Sequence, residues 1–219
     1  MATFVKPINN DYRTAKAAAI PTMNFLAHAY LSFDNEQILV GNMISDFVKG
    51  KARYSYPPAI EKGILLHRQI DSFTDAHDAV REVKEIFRPS YRLYSSPIVD
   101  VLFDHFLAND ESVFPAASLN NFTQTVYNTL EKYVTSLPFI FSQVFTFMKV
   151  ENWLLNYGTT EGMEKSLRGL VRRSSFLKES TTAFHLFLDN YDTIKKSYAV
   201  FFPDVKSFAK QLFEELTVK

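Results

Sequence analysis

The sequence predicts an all-α protein, a single compact multi-helix domain, on three observations. From Met23 onward, apolar residues recur at spacings of three and four, the period of a helix with one buried face. The few Gly and Pro residues lie mainly where one such segment should end and the next begin. No Val- or Ile-rich alternating run typical of a strand is found. We therefore expect one helical domain over residues 23–219, preceded by an extension, residues 1–22.

Each helix boundary rests on a residue type that commonly starts or ends helices. Gly50 is expected to end the second helix as a left-handed cap, and Ser118 and Thr160 to cap two later ones. A hydroxyl cap followed by Pro97 opens the helix at 97, and Pro138 and Pro203 open two others. The predicted helices span residues 23–32, 35–48, 59–75, 78–88, 97–109, 118–135, 138–156, 161–173, 176–200 and 204–217.

Composition excludes several classes of protein. A chain of 219 residues that is 47% apolar and 22% charged, with zero formal net charge, has enough apolar material for a large core. It is neither a disordered chain nor a nucleic-acid binder of extreme charge. With no Cys there is no thiolate metal site, so any metal must be held by His, Asp and Glu. No segment has the length of a bilayer span or the apolar core of a secretory signal, so we expect a cytoplasmic protein without a membrane partner.

Histidines and aspartates are concentrated in the first half of the chain. Four of the five histidines precede residue 106: His28, His67, His77 and His105. His67 and Asp71 are four residues apart on a predicted helix, so both can face one ion. This spacing is suited to metal binding.

The segment 97–109 places two carboxylates in strongly apolar surroundings. Asp100 and Asp104 are embedded in the run IVDVLFDHFL, and a helix that is apolar on every side is a buried one. A buried ionised carboxylate costs several kcal/mol or more unless a cation or a paired group meets it. A salt bridge to Arg68 or another arginine is one explanation, and a divalent metal is the other. For a single aspartate the salt bridge is favoured, and the metal is favoured for a larger set: His67, Asp71, Asp104 and His105 together with Asp46 and His28.

Four polar motifs in this order resemble the acyl carrier protein phosphodiesterase family. They are Met23-Asn24-Phe25-Leu26-Ala27-His28, Gly41-Asn42 with Asp46-Phe47-Val48-Lys49-Gly50, Leu66-His67-Arg68-Gln69-Ile70-Asp71 with Phe73-Thr74-Asp75, and Asp100 with Asp104-His105-Phe106-Leu107. The resemblance covers residues 23–219. It implies a distant relative of the HD-type metal phosphohydrolases that removes the 4′-phosphopantetheine arm from holo-acyl carrier protein with Mn²⁺ or Mg²⁺.

One departure from the HD pattern concerns the order of two residues. The adjacent pair in the apolar helix is Asp104-His105, the reverse of His-Asp. A literal His-Asp pair occurs at His77-Asp78, near a predicted helix junction, and the resemblance does not depend on it.

The residue types then suggest individual roles. Imidazole and carboxylate ligands without sulfur suit Mn²⁺, Mg²⁺ or Fe²⁺. We expect His67, Asp71 and Asp104 to be metal ligands, and Asp46 to be a ligand or the group that orients the attacking water. His28 and His105 are expected to be ligands or proton-transfer groups. Asp75 and Asp100 are expected to orient these groups, and Arg68 to clamp phosphate or to pair with an aspartate.

An acidic carrier protein requires a basic docking face. The residues predicted to form this face are Lys49, Lys51, Arg53, Arg172 and Arg173. Two other functions stay open: a metal phosphohydrolase acting on nucleotides or other small phosphodiesters, and a metal-free helical binding module in which Asp and His form a buried polar network.

Overall fold

The computed structural model of the chain describes residues 25–174 and 176–218. Within these ranges every regular element is a helix, so the predicted all-α class is confirmed. The predicted extension, residues 1–22, lies outside the described residues, and the division of the chain at residue 23 stays a prediction. The α-helices in chain order are α1 Phe25–Tyr30, α2 Glu36–Ile44, α3 Pro58–Ala76, α4 Asp78–Tyr91, α5 Ser95–Ala108, α6 Ser118–Lys132, α7 Phe139–Val150, α8 Trp153–Asn156, α9 Thr160–Arg173, α10 Thr181–Asp189 and α11 Tyr191–Thr217.

Helix α5 forms the centre of the fold. Every residue from Pro97 to Ala108 is buried, as its uninterrupted apolar sequence predicts. Helices α1, α4, α9 and α11 pack around it. Because α5 is enclosed, its two aspartates must find their partners inside the protein.

Helices α2 and α3 cross very closely at two glycines. A Cβ atom added to Gly41 would lie 2.0 Å from the carbonyl oxygen of Ile60, and one added to Gly63 would lie 2.3 Å from that of Ile38. The missing side chains therefore allow the two backbones to touch. This contact brings Asn42 of α2 close to the part of α3 that carries His67.

Three predicted helix boundaries in the second half are wrong. The helix predicted over 138–156 is two helices, because Asn152 adopts a left-handed backbone conformation with φ of 47° between α7 and α8. The helix predicted over 176–200 is divided at Asn190 into α10 and α11. The boundary predicted at Pro203 is absent, since α11 continues to Thr217. Its buried face, which includes Tyr198, Phe201 and Val205, packs on the core, and this packing outweighs the one backbone hydrogen bond that proline removes.

Several predicted helix caps and ends differ from the structure by one or a few residues. Thr159, rather than Thr160, caps α9 by accepting a hydrogen bond from the amide of Gly162. Ser118 is the first residue of α6 and not its cap. Helix α2 tightens into a 3-10 turn at Ser45–Phe47. Gly50 has the expected positive φ of 56°, and it opens a second 3-10 segment, Gly50–Ser55.

Across residues 25–174 and 176–218, no helix combines the length and the apolar character that crossing a bilayer requires.

Candidate metal centre

Two histidines and one aspartate from α1 and α3 converge on a single point. Nε2 of His28 lies 3.2 Å from Oδ1 of Asp71, and Nε2 of His67 lies 3.2 Å from Oδ2 of the same carboxylate. The two imidazole rings are stacked, with centroids 3.8 Å apart. One ligand atom from each residue lies within 4.8 Å of the other two, a separation that a single ion can span.

A fourth side chain, Asp46, joins this histidine–carboxylate cluster from the 3-10 turn after α2. Its Oδ1 lies 3.3 Å from Nε2 of His67. The histidine side chains are nearly inaccessible, whereas those of Asp46 and Asp71 are 21% and 32% exposed. The cluster therefore has buried imidazoles at its base and carboxylates at a mouth that solvent can reach.

The charges of the cluster are strongly coupled. Burial lowers the pKa of His67, but the charge of Asp71 and the hydrogen bonds to Asp46 and Asp71 outweigh it and raise this pKa to about 10. Burial raises the pKa of Asp71, and the charge of His67 more than reverses that effect. Burial and the positive charge of His67 lower the pKa of His28. Without an ion, these shifts favour a neutral His28 beside a protonated His67 held between two carboxylates, and an ion bound here would replace the proton on Nε2 of His67.

His28 is also held from behind by Asn42, a residue for which the sequence predicted no role. Nδ1 of His28 lies 2.8 Å from Oδ1 of Asn42, whose Nδ2 donates to the carbonyl oxygen of His28 at 2.8 Å. Asn42 is fully buried, and it is the single polar side chain in the stretch 38–44 of α2. A lone amide in such a stretch is the sequence signal that could have revealed it.

The donor set fits a divalent ion. It consists of two imidazole nitrogens and carboxylate oxygens without sulfur, the ligands that suit Mn²⁺, Mg²⁺ or Fe²⁺. The Nε2 atoms of His28 and His67 each lie 3.2 Å from an oxygen of the Asp71 carboxylate, so an ion placed among them would meet both imidazoles and the carboxylate.

Asp104, a predicted metal ligand, does not belong to the cluster. Its two carboxylate oxygens accept hydrogen bonds from the backbone amides of Leu26 and Ala27, at 3.0 and 2.9 Å. These amides lie in the first turn of α1, where N–H groups have no partner within the helix. Among residues 25–174 and 176–218, no basic side chain forms a salt bridge with Asp104. Its carboxylate instead anchors α1 and so places His28, which follows one residue later.

His105, predicted as a ligand or proton-transfer group, also lies elsewhere. Its Nδ1 is 2.7 Å from the carbonyl oxygen of Tyr157, and its Nε2 is 3.4 Å from the hydroxyl of Tyr191. It shares α5 with Asp104 but bonds to groups outside the cluster. His77 begins α4, where its Nδ1 accepts a hydrogen bond from the amide of Ala79.

The two aspartates expected to orient the ligands have different surroundings from those predicted. Asp75 pairs with the buried Lys84, with 2.6 Å between Oδ1 and Nζ, and not with a histidine or an arginine. Asp100 faces a cavity of about 20 Å³ whose other lining residues are mostly apolar. Burial and the negative charge of Asp71 raise the pKa of Asp100 well above its usual value. The protonated form of Asp100 is therefore favoured relative to that of an exposed aspartate.

Arg68 lies close to the mouth of the cluster. Its Nη2 donates a 2.7 Å hydrogen bond to the carbonyl oxygen of Val48, two residues beyond Asp46. The predicted alternative, an ion pair with Asp71 or Asp100, is not found among the described residues. A guanidinium has five N–H donors, so this one bond leaves others for an anion.

The basic residues predicted for docking divide into two groups. Lys49 and Lys51 are exposed on the segment that follows Asp46, and Arg53 pairs with Glu61 at 3.5 Å. At the end of α9, Arg172 is exposed, but two guanidinium nitrogens of Arg173 are buried. Burial lowers the pKa of Arg173 to about 10. The inward guanidinium of Arg173 does not suit a docking role.

Fold and cluster together define a class: an all-helical protein with a cluster of two histidines and two partly exposed aspartates from α1, α3 and the turn after α2. Residues 23–205 match the family model described as acyl carrier protein phosphodiesterase, and the chain belongs to this family. The resemblance predicted from the four motifs is thereby confirmed.

Curated relatives carry the same description over nearly their whole length. A Yersinia pestis protein named acyl carrier protein phosphodiesterase is 31% identical over 83% of this chain and 94% of its own. Proteins of the same name from Photorhabdus laumondii and Escherichia coli O6:H1 are 30% and 32% identical over 83% of this chain, and 92% and 94% of theirs. No solved structure matches the chain, so the relation to HD-type phosphohydrolases stays a prediction.

Proposed function

We propose that this chain is a metal-dependent phosphodiesterase that hydrolyses the bond between 4′-phosphopantetheine and a serine of holo-acyl carrier protein, giving the apo-protein and free 4′-phosphopantetheine. One observation carries the proposal: His28, His67, Asp71 and Asp46 converge at a solvent-accessible mouth in a member of this family. The names of the relatives support the substrate, and the donor set supports the metal.

The ligand set proposed here is His28, His67 and Asp71, with Asp46 as a fourth ligand or as the group that orients water. Bound there, a divalent ion lowers the pKa of coordinated water and neutralises charge on the phosphodiester. Asp46 is more solvent-accessible than the histidines, so it can accept the proton of the attacking water and return it to the departing serine oxygen.

The residues around the mouth suit an anionic substrate. Arg68 is held at the carbonyl oxygen of Val48, two residues beyond Asp46 in the chain, and an arginine fork can bind two phosphate oxygens. Lys49 and Lys51 extend from the same segment and provide a basic surface for an acidic carrier protein, whereas Arg173 is left out of that surface.

The function is tested by the mass of the carrier protein. Purified holo-acyl carrier protein is incubated with the enzyme and Mn²⁺, and with Asp46→Ala in parallel. The matched control is Asp189→Ala, which removes an exposed carboxylate on α10. Loss of the pantetheine arm is expected with wild type and Asp189→Ala, and not with Asp46→Ala or with chelator.

Two results would contradict the proposal. If wild type cleaves cyclic nucleotides or other small phosphodiesters and leaves the arm in place, the substrate is wrong. If the arm is removed equally well after exhaustive chelation, the reaction does not depend on a metal.

A further inference from the structure

The amide of Asn42 has only one possible orientation. One of its terminal atoms lies 2.8 Å from the carbonyl oxygen of His28, which can only accept, so that atom must be the NH₂ group. The same group lies 3.1 Å from the hydroxyl oxygen of Ser32, which in turn donates to the carbonyl oxygen of His28 at 2.8 Å. All three residues are buried, so water does not compete for these bonds.

This orientation determines which nitrogen of His28 carries a proton. The amide oxygen of Asn42 is the atom that faces Nδ1 of His28, at 2.8 Å, and an oxygen without a hydrogen must accept there. Nδ1 is therefore protonated. In the neutral ring, the lone pair is on Nε2, which points at Asp71 and the cluster.

We propose that Asn42 is a positioning residue that holds His28 in the Nδ1–H tautomer, so that Nε2 is available as a ligand for the divalent ion. The inference deepens the proposed function and rests on it. Asn42 touches neither ion nor substrate and acts only through His28. A hydrogen bond from behind is what commonly fixes the tautomer and ring orientation of a metal-binding histidine.

His67 lacks such a partner. Its Nδ1 is buried without a hydrogen bond among the described residues, and its ring is oriented by Asp46 and Asp71 at Nε2 and by stacking on His28. Asn42 thus fixes the orientation of one of the two imidazole ligands, and its loss should weaken metal binding at the cluster.

Two substitutions of Asn42 distinguish a role in positioning His28 from a role in filling space in the core. Asn42→Leu keeps the approximate size but removes the acceptor for Nδ1–H, whereas Asn42→Asp in its protonated form keeps that acceptor and a hydroxyl donor for the carbonyl oxygen of His28. If Asn42 only fills space, the apolar leucine should be tolerated better than a buried carboxyl group. If it positions His28, the order is reversed.

The measurement is Mn²⁺ affinity, followed by the electron paramagnetic resonance signal of the free ion. We expect Asn42→Leu to bind Mn²⁺ about 10–100-fold more weakly than wild type, the usual effect of losing a partner behind a ligand. Asn42→Asp should stay within a few-fold of wild type. The control is Thr123→Val, which removes a buried hydroxyl on α6, and its affinity should be unchanged.

A second measurement does not depend on folding of the variants. Long-range ¹H–¹⁵N correlations of the metal-free wild type report directly which nitrogen of His28 is protonated, and Nδ1–H is expected. Finding Nε2–H there, or equal Mn²⁺ affinity for Asn42→Leu and wild type, overturns the inference but leaves the proposed function intact. Absence of Mn²⁺ binding by wild type itself overturns both.

Discussion

Adding a single methyl group at the crossing of α2 and α3 should damage both stability and the metal site. In Gly63→Ala, the new Cβ would lie 2.3 Å from the carbonyl oxygen of Ile38, 2.9 Å from Cα of Gly41 and 3.0 Å from the amide nitrogen of Asn42. All three are backbone atoms, so no side chain can turn away. The helices themselves must move.

The size of the effect follows from these distances. Real Cβ atoms essentially never approach another heavy atom closer than 3.0 Å, so the crossing must open by about 0.7 Å. Overpacking of this kind costs about 3 kcal/mol, and alanine returns about 1 kcal/mol through its higher helix propensity. A net loss of about 2 kcal/mol lowers the Tm of a domain of this size by about 4–8 °C.

The site should respond as well, because Asn42 and His67 lie on opposite sides of this crossing. Metal–ligand distances tolerate only about 0.2 Å, so an opening of this size should weaken Mn²⁺ binding. Thermal unfolding and Mn²⁺ titration of Gly63→Ala are compared with Gly158→Ala, whose Cβ would meet its nearest neighbour at an ordinary 3.4 Å. A Gly63→Ala protein with wild-type Tm and Mn²⁺ affinity would refute the close-crossing argument.

Three further predictions concern single side chains. Because the pKa of His67 rises from 6.5 to about 10 on folding, its stabilising charge is fully present below pH 6.5 and is lost toward pH 10. The free energy of unfolding of the metal-free protein, measured with urea, should therefore fall over this pH range, and His67→Gln should make it nearly constant. Equal pH dependence in the two proteins would contradict the assignment. Asp100 has a raised pKa, so its ionisation favours the unfolded chain as pH rises above about 4. Asp100→Asn should therefore stabilise the protein more at pH 7.5 than at pH 4. An equal effect at both pH values would count against the raised pKa. Arg68→Lys keeps the charge but loses the fork, so kcat/KM on holo-acyl carrier protein should fall about tenfold; an unchanged value would exclude the clamp.

The sequence predicted helical segments well and their ends less well. The boundary at Pro203 failed because the apolar face of α11 continues unbroken across the proline, and burial of Phe201 and Val205 is a property of the whole fold. The break at Asn152 was missed for a different reason. Asn adopts the left-handed conformation more readily than most residues, but the apolar pattern on both sides of Asn152 predicted a continuous helix.

In the site, too, contacts within one helix were predicted from the sequence and contacts between distant segments were not. His67 and Asp71 were predicted to share a helix face from their spacing of four, and the structure places them 3.2 Å apart. Asp104 was expected at the metal because a buried carboxylate needs a positive partner. The partner is a pair of backbone amides at the start of α1, 78 and 77 residues away in sequence, which no residue type reveals.

By itself the chain determined its helical class, its family and the kinds of ligand it can offer, because helix periodicity and side-chain chemistry are properties of residues close together in sequence. Only the tertiary structure decided which carboxylates meet the histidines and which brace the backbone. That choice depends on the crossing of α2 and α3 at Gly41 and Gly63 and on the anchoring of α1 by Asp104. These contacts join segments far apart in the chain, and each buried polar group is satisfied by whichever partner the packing of the helices brings within reach.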